Sequence, residues 1–548
     1  MHAGPETGLA PGRSPIAAPG RRRRCRGAGR FLALLLAGAA TSFLPAQVQA
    51  RQAAADAPLA AAASDAVAAP ATDAAKSYER HCAVCHGADR LGGMGPALLP
   101  ESLARLRRPE ATAVIADGRP ATQMPGFGSL LSKQQIAALV DWIHTPVVPE
   151  PRWSDDDIRA SRVQHVDPAT LSDEPVFSAD PLNLFLVVET GDHHVSVLDG
   201  DRLEPIHRFP SRFALHGGPK FAQQGRYVFF GSRDGWVSKF DLWNLKVVAE
   251  IRAGINTRNV AVSPDGRHVA VANYLPHTLV LLDGDLNLVR SIAVTGEDGH
   301  SSRVSAVYDA TPRRSFVAAL KDVPEVWEIP YDDETAKGGL ASEPRRTRLE
   351  QVLDDFFFTQ DYAYLMGASR EGAGQVVDLD ARRKVADLAL DGMPHLGSGI
   401  TWQRDGRTLM ASTNLKSAEV TVIDLADWSV VERIPIRGPG FFLRSHGSSP
   451  HAFVDSMMSP DARHILQVID KQTLKVVREI VGEPGKTLAH VEFTRDGRYA
   501  LASLSETDGA IVVYDALSLE EVKRLPMKKP IGKYNVWNKI SREEGTSH

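Results

Sequence analysis

Five residues carry the most specific chemistry in the chain: Cys82-Ala-Val-Cys85-His86. Two thiols three positions apart, with a histidine next to the second, form the attachment site of a c-type haem. The spacing has a mechanical reason. The thiols add to the two vinyl groups of the haem, and the adjacent His86 reaches the iron from the proximal side. A zinc site would need a second Cys/His pair at similar spacing. A thioredoxin-like redox pair would need a βαβ context, whereas the flanks here read as helix. The second iron ligand is assigned to Met124, in Thr-Gln-Met-Pro-Gly-Phe, 38 residues after His86. Met94, in Gly-Gly-Met-Gly-Pro, is the competitor. A thioether ligand raises the potential of the iron and suits electron transfer.

The elements that must hold this group are short helices. The stretch from Ser132 to Ile143 has apolar residues at helical spacing, a Ser N-cap, and Pro146 just beyond its end. It predicts the terminal helix of a small all-α cytochrome domain spanning residues 74–147. Pro146 to Pro151 reads as a stiff connection, and residues 148–165 as a linker.

The N-terminus reads as an export signal. Arg21 to Arg24, Arg26 and Arg30 precede a ten-residue apolar run from Phe31, and Ala46-Gln-Val-Gln-Ala50 supplies small residues for cleavage. The run is far short of the ~20 residues of a spanning helix. Residues 1–50 are therefore expected to be removed, with export unfolded into the periplasm and cofactors added there. Cys25 would leave with them. Residues 51–73, rich in Ala and Asp, are expected to be a tether. The processed protein should not be integral to a membrane.

The remaining chain, residues 166–548, is repetitive. A short apolar strand ending in Asp recurs at Asp199, Asp241, Asp283, Asp332, Asp378, Asp424, Asp470 and Asp515, 42 to 49 residues apart. Turns such as Ser263-Pro-Asp-Gly-Arg and Thr494-Arg-Asp-Gly-Arg lead into strands of alternating small and apolar residues. Eight units, each with room for four strands, predict an all-β eight-bladed propeller. An open solenoid would need distinct capping repeats.

In such a ring, the loops leading into the inner strands gather at one mouth of the channel. His216, Arg258, Arg303, His395, His446 and His490 stand at roughly equivalent positions of different repeats. Arginine clamps carboxylates bidentately, and neutral histidine binds iron. The ring suits a large, flat, carboxylate-bearing metal cofactor.

Composition agrees with this picture. The chain has 548 residues, 43% hydrophobic and 24% charged, which is globular and too long for one core. Net charge is −4, but the first 50 residues hold seven Arg and one Glu; without them it is about −10. That argues against nucleic acid, which requires a basic face, and admits a basic redox partner or a small ligand.

Over nearly the whole chain after residue 73, the sequence resembles the cytochrome cd1 group. The resemblance lies in Phe213-Ala-Leu-His216, the run Gly225-Arg-Tyr-Val-Phe-Phe-Gly-Ser-Arg-Asp-Gly-Trp-Val-Ser-Lys-Phe-Asp-Leu-Trp, Met393-Pro-His395 and Gly532-Lys-Tyr-Asn-Val-Trp-Asn. It implies covalent haem c and a non-covalent d1-type tetrapyrrole, with His216 as proximal ligand of the d1-type iron. It also implies that Arg258, Arg303 and His490 contact the macrocycle. The group's nitrite reductases carry two distal histidines. His395 stands at one of these positions, and Asp354, in Glu350-Gln-Val-Leu-Asp354-Asp, stands at the other. An anionic carboxylate repels nitrite and holds no spare proton near neutral pH.

Two stretches, Gly92-Gly-Met-Gly-Pro-Ala-Leu-Leu-Pro-Glu and Ser445-His446-Gly-Ser-Ser-Pro-His451, resemble the group's biosynthetic branch, the dihydro-haem d1 dehydrogenases. That resemblance implies oxidation of a propionate of dihydro-haem d1 to the acrylate of haem d1. His395, His446 and Asp354 would be the candidate bases. Expected partners are a periplasmic electron acceptor, other haem d1 biosynthesis proteins and nitrite reductase. The alternatives are a cytochrome cd1 nitrite reductase and a non-catalytic haem d1 carrier. A quinoprotein dehydrogenase lacks support, because the chain has no adjacent cysteine pair and no repeated tryptophan docking motif.

Cys82→Ala or Cys85→Ala is expected to abolish normal covalent haem attachment, read by haem staining after denaturing electrophoresis. Met124→Ala is expected to keep the haem but lower its potential in a redox titration. A drop seen in Met94→Ala instead would reverse the ligand assignment.

Overall fold

The computed structural model describes residues 71–92, 95–103, 106–119, 124–149, 151–212, 214–331, 343–542 and 544–545. Residues 1–70 of the expected leader and tether, Met94 and Asp332 lie outside the described residues, while residues 71–73 of the expected tether belong to the first helix.

Among the described residues from 71 to 147, the only regular elements are helices: Ala71–His81, Ala83–His86, Pro100–Leu103, Arg108–Asp117 and Lys133–Ile143. The last begins at a capping box. Gln135 N–H donates to Ser132 Oγ (3.2 Å), and Ser132 N–H donates to Gln135 Oε1 (2.9 Å). Its apolar face buries Ile136, Leu139, Val140 and Ile143 against Tyr78, Leu103 and Ile115. These residues are the domain's core. Cys82 and Met124 sit at its edge, against the same cluster.

Residues 184 to 535 form eight antiparallel sheets, which are the blades of a closed propeller. Seven take four successive strands each, running from the channel outwards. The first is Lys220–Ala222, Tyr227–Gly231, Trp236–Asp241 and Lys246–Arg252. The next six begin with the inner strands Asn256–Val262, Val304–Ala310, Asp355–Phe358, Ile400–Arg404, Leu443–Ser445 and Leu488–Phe493. The eighth blade is composite. Leu184–Glu189, His194–Asp199 and Glu204–Pro210 supply three strands, and Pro530–Asn535 supplies the innermost. Phe185 pairs with Asn535, and Val188 with Gly532. The two ends of the repeat array thus close the ring within one sheet.

Among the described residues, the seven recurring aspartates end the third strand of their blades. Their carboxylates accept backbone N–H groups of the turn that follows. Asp199 Oδ1 accepts from Asp201 and Arg202, Asp378 Oδ1 from Asp380 and Ala381, and Asp515 Oδ1 from Leu517 and Ser518. The periodic Asp is a turn device and not a ligand.

Neighbouring blades are tied through buried polar groups near the channel. Asn259 donates through Nδ2 to Val307 O (2.8 Å) and accepts Val307 N–H at Oδ1 (3.1 Å). Ser305 Oγ donates to Leu353 O (2.6 Å). Before the first blade, Trp153 Nε1 donates to Arg252 O (2.9 Å). Val163–Gln164 then pairs with the outer strand of that blade as a fifth strand.

Asn538, in the terminal helix Val536–Ser541, is 2% exposed and donates to Glu492 Oε1 (2.9 Å) and Phe493 O (2.8 Å). Asn538→Ala would take this donor from Phe493 O and leave Glu492 Oε1 with only the Phe493 N–H (3.1 Å). We expect a loss of roughly 1–3 kcal/mol in denaturant-unfolding midpoints, the typical cost of a buried group left unsatisfied.

Candidate active site

In the helical domain, Cys82 caps the short helix Ala83–His86. Burial pushes the Cys82 thiol up to about 11 and raises Cys85 as well. His86 is 7% exposed, and its Nδ1 lies 2.8 Å from Pro96 O. A carbonyl can only accept, so Nδ1 carries the proton and Nε2 keeps its lone pair for an iron. Burial also lowers the proton affinity of the ring. The residue opposite is Gly95: a Cβ there would lie 2.7 Å from His86 Nδ1. The donor set, the fixed tautomer and this side-chain-free cradle fit a c-type haem.

In the propeller, the entry ends of the inner strands converge at one mouth. His216 precedes the inner strand of the first blade. Its Nδ1 lies 2.7 Å from Arg258 O, so that nitrogen is the donor. Nε2 then faces two guanidinium groups, Arg233 at 3.1 Å and Arg258 at 3.2 Å. Burial first, then Arg233 and Arg258, hold the ring well below the usual histidine range. A neutral imidazole with its Nε2 lone pair turned to the channel is what iron ligation requires.

His395, from the fifth blade, is oriented the same way. Its Nδ1 lies 2.7 Å from Phe441 O, and its ring rests against Phe441 with centroids 4.1 Å apart. Burial lowers its proton affinity, while the Asp355 carboxylate pulls it partly back. His490, 1% exposed, stands between Phe442 and Tyr534. Burial, Lys533, Arg444 and Lys539 all hold its affinity far down. Its Nε2 is buried with no hydrogen-bond partner, as is Arg444 Nε. Buried polar atoms cost free energy unless something meets them. Their presence fits a polar ligand in the channel.

The structure places three expected residues differently. His446 follows the end of its inner strand, whereas the others precede or open theirs. It lies at the opposite mouth, with Nδ1 2.8 Å from Ser448 Oγ and Nε2 3.2 Å from Arg495 O, beside the turn at Gly497. Arg303 is at the site's mouth but committed to Asp322 through a two-point ion pair, one arm at 2.8 Å. Asp354 is paired with Lys321 and with Arg370 (3.0 Å). A carboxylate held by two cations is a poor proton acceptor.

Sequence reasoning missed several channel residues. Arg233 lies within the Gly-Ser-Arg-Asp-Gly stretch, where its type and turn position alone do not mark it as a channel residue. Tyr274 is approached by Arg233, Arg303 and Lys321 at 5.5–5.9 Å from its ring centre. Tyr308 donates to Asp355 Oδ1 (2.9 Å). Asp355 immediately follows Asp354, and only the backbone decides which of the two faces the channel. Below this group a cavity of about 220 Å³ reaches towards the far mouth, lined among others by Lys220, Tyr308, Gln360, Lys539 and Arg542.

A helical domain with a Cys-x-x-Cys-His helix, joined to a propeller whose channel gathers neutral histidines among buried cations, defines a two-centre haem protein. The chain belongs to the family described as Cytochrome D1 heme domain, which matches residues 179–539. Residues 69–143 match the family described as Cytochrome C oxidase, cbb3-type, subunit III. The chain is 58% identical over 473 residues to the dihydro-heme d1 dehydrogenase of Pseudomonas aeruginosa, covering 86% of this chain and 95% of that protein. It is 24% identical over 525 residues to a nitrite reductase of Stutzerimonas stutzeri, covering 85% and 92%. A solved structure, dihydro-heme d1 dehydrogenase NirN in complex with DHE, superposes with a TM-score of 0.77 at 57% identity, covering 85% of this chain and all of that one. The membership agrees with the cytochrome cd1 resemblance read from the motifs.

Gly95→Ala is expected to push the His86 ring off Pro96 O. Haem should still attach through the thiols, but the ferric spectrum should shift towards high spin. An unchanged spectrum would show that the cradle has slack.

Proposed function

We propose that this chain is a dihydro-haem d1 dehydrogenase, which converts a propionate of dihydro-haem d1 to the acrylate of haem d1. The observation that carries this reading is the 58% identity over 95% of a dehydrogenase's length. The distal carboxylate supports it: Asp354, tied to Lys321 and Arg370, cannot serve as a second nitrite-protonating histidine.

The substrate is a flat macrocycle bearing several carboxylates. Arg233 and Arg258 present guanidinium groups towards the channel beside His216, whose Nε2 would hold the substrate's iron. Desaturation removes two protons and two electrons from a Cα–Cβ bond. Haem c, when bound through Cys82, Cys85 and His86, supplies a one-electron acceptor, so the electrons leave singly. A base must take a proton from carbon, and besides His216 two neutral imidazoles, His395 and His490, face the channel. We assign the base to His395. The nearby Asp355 restores part of its basicity, whereas Lys533, Arg444 and Lys539 depress that of His490. His490 is assigned to substrate contact through its unpartnered Nε2.

Residues 1–50 support export to the periplasm, and among the described residues no helix is long and apolar enough to cross a membrane. A periplasmic one-electron acceptor would then reoxidise haem c. Other haem d1 biosynthesis proteins and nitrite reductase are the partners expected to supply the substrate and receive the product.

The test is incubation of the haem c-loaded protein with dihydro-haem d1, read by absorption spectrum and product mass. The wild type should remove two hydrogens. His395→Gln should bind the substrate yet slow the mass change by about 10²-fold or more, the usual weight of a general base. Loss in His490→Gln with His395→Gln unaffected would move the base to His490. Rapid nitrite turnover with no change in macrocycle mass would overturn the whole reading.

A further inference from the structure

The desaturation liberates two protons inside a channel crowded with buried cations. A proton left on His395 would sit near Arg258 and Arg444, whose charges disfavour it. Turnover therefore needs an exit. The Asp355 carboxylate is placed to receive the proton, since its charge acts on both His395 and Lys220. Its Oδ1 accepts the Tyr308 hydroxyl (2.9 Å) and the Phe356 N–H (2.9 Å). Gly397, two residues after His395, packs so closely that a Cβ there would collide with Asp355 Oδ2 and come within 3.2 Å of Tyr308 Oη. The backbone carrying His395 thus lies directly on the Asp355–Tyr308 pair.

On the other side, Tyr308 and Lys220 both line the 220 Å³ cavity that reaches towards the far mouth. Lys220 Nζ lies 5.4 Å from the centre of the Tyr308 ring. The cavity wall also carries Thr359, Gln360 and Thr401. A polar cavity of this size holds several waters.

We propose that Asp355 and Lys220 form a proton-exit relay from the base to this cavity, with Tyr308 as the residue that positions Asp355. The inference rests on the dehydrogenase reading and on His395 as base. For each Cα–Cβ bond desaturated, two C–H bonds break and one π bond forms. The two electrons are taken up by an added one-electron oxidant, two equivalents per bond. Each proton passes to His395, then to the Asp355 carboxylate, then to neutral Lys220, and from Lys220 to cavity water at the mouth remote from the substrate. The groups facing Lys220 and Asp355 are Tyr308, Arg258, His395 and Arg542, with Lys539 on the same cavity wall.

Burial brings Lys220 down to about 8, against the pull of Asp355 and with help from Arg542. Above that pH the neutral amine is ready to accept a proton; below it, Lys220 must first release one. Turnover in the wild type should therefore rise with pH through about 8.

The experiment uses the full chain loaded with haem c, dihydro-haem d1 as substrate and ferricyanide as oxidant, with a pH indicator in weakly buffered solution. Lys220→Met is expected to bind substrate with wild-type affinity but to release protons about tenfold more slowly. It should lose the rise near pH 8 and regain rate with added methylamine, which the cavity can admit. Tyr308→Phe should slow turnover less and enlarge the solvent deuterium isotope effect. Unchanged proton release, pH profile and isotope effect in both variants, while the wild type still dehydrogenates, would overturn the relay. No mass change in the wild type would instead overturn the functional reading.

Discussion

Everything at the site depends on the pairing of Pro530–Asn535 with Leu184–Glu189. The functional groups come from different inner strands, and no two blades alone hold His216, His395 and His490 at one mouth. Closure fixes the radius of the ring and hence the distances across the channel. The same strand carries Lys533 and Tyr534 to His490, and the helix after it brings Lys539 and Arg542 to the cavity. The element that closes the fold is also part of the site.

The second constraint is electrostatic. Arg233, Arg258, Arg444, Lys220, Lys533 and Lys539 are drawn into low-dielectric surroundings with few carboxylates among them. Burial pushes Arg233 down to about 10 and lowers the lysines further. Uncompensated buried charge costs several kcal/mol per ion, so the arrangement is poised for an anionic ligand. The same cations keep His216 and His490 neutral, a requirement for a ligand or a contact nitrogen. One set of charges thus serves both substrate affinity and histidine protonation state.

The helical domain rests on the blade that carries His216 and on its neighbour. Arg252 donates to Leu91 O (3.2 Å) and to Asp234 O (2.8 Å), and Asp234 follows Arg233, which touches His216. Asn256 donates to Ser102 Oγ (3.1 Å), and Ala97 and Leu99 pack on Ile255. The segment holding Pro96, which orients His86, therefore lies against the start of the strand Asn256–Val262 that carries Arg258. The two redox centres are joined by packed protein.

By itself the sequence determined what depends on local spacing. The Cys82–Cys85–His86 spacing, the Ser132 N-cap and the Asp-ended strand of each repeat are all encoded within a few residues. Local hydrogen bonds and periodic burial decide such features. It also identified His216 and His395 as members of one ring, because repeat position stands in for location in a propeller. Repeat position alone did not tell which end of an inner strand a residue occupies. His446 was grouped with the site, yet the three-residue strand Leu443–Ser445 puts it at the opposite mouth. Nor could sequence decide pairing. Arg303 turned out to belong to Asp322, and Asp354 to Lys321 and Arg370, while its neighbour Asp355 faces Tyr308. Those choices were left to the tertiary structure, because an ion pair or a buried carboxylate is selected by distances between blades that are far apart in the chain.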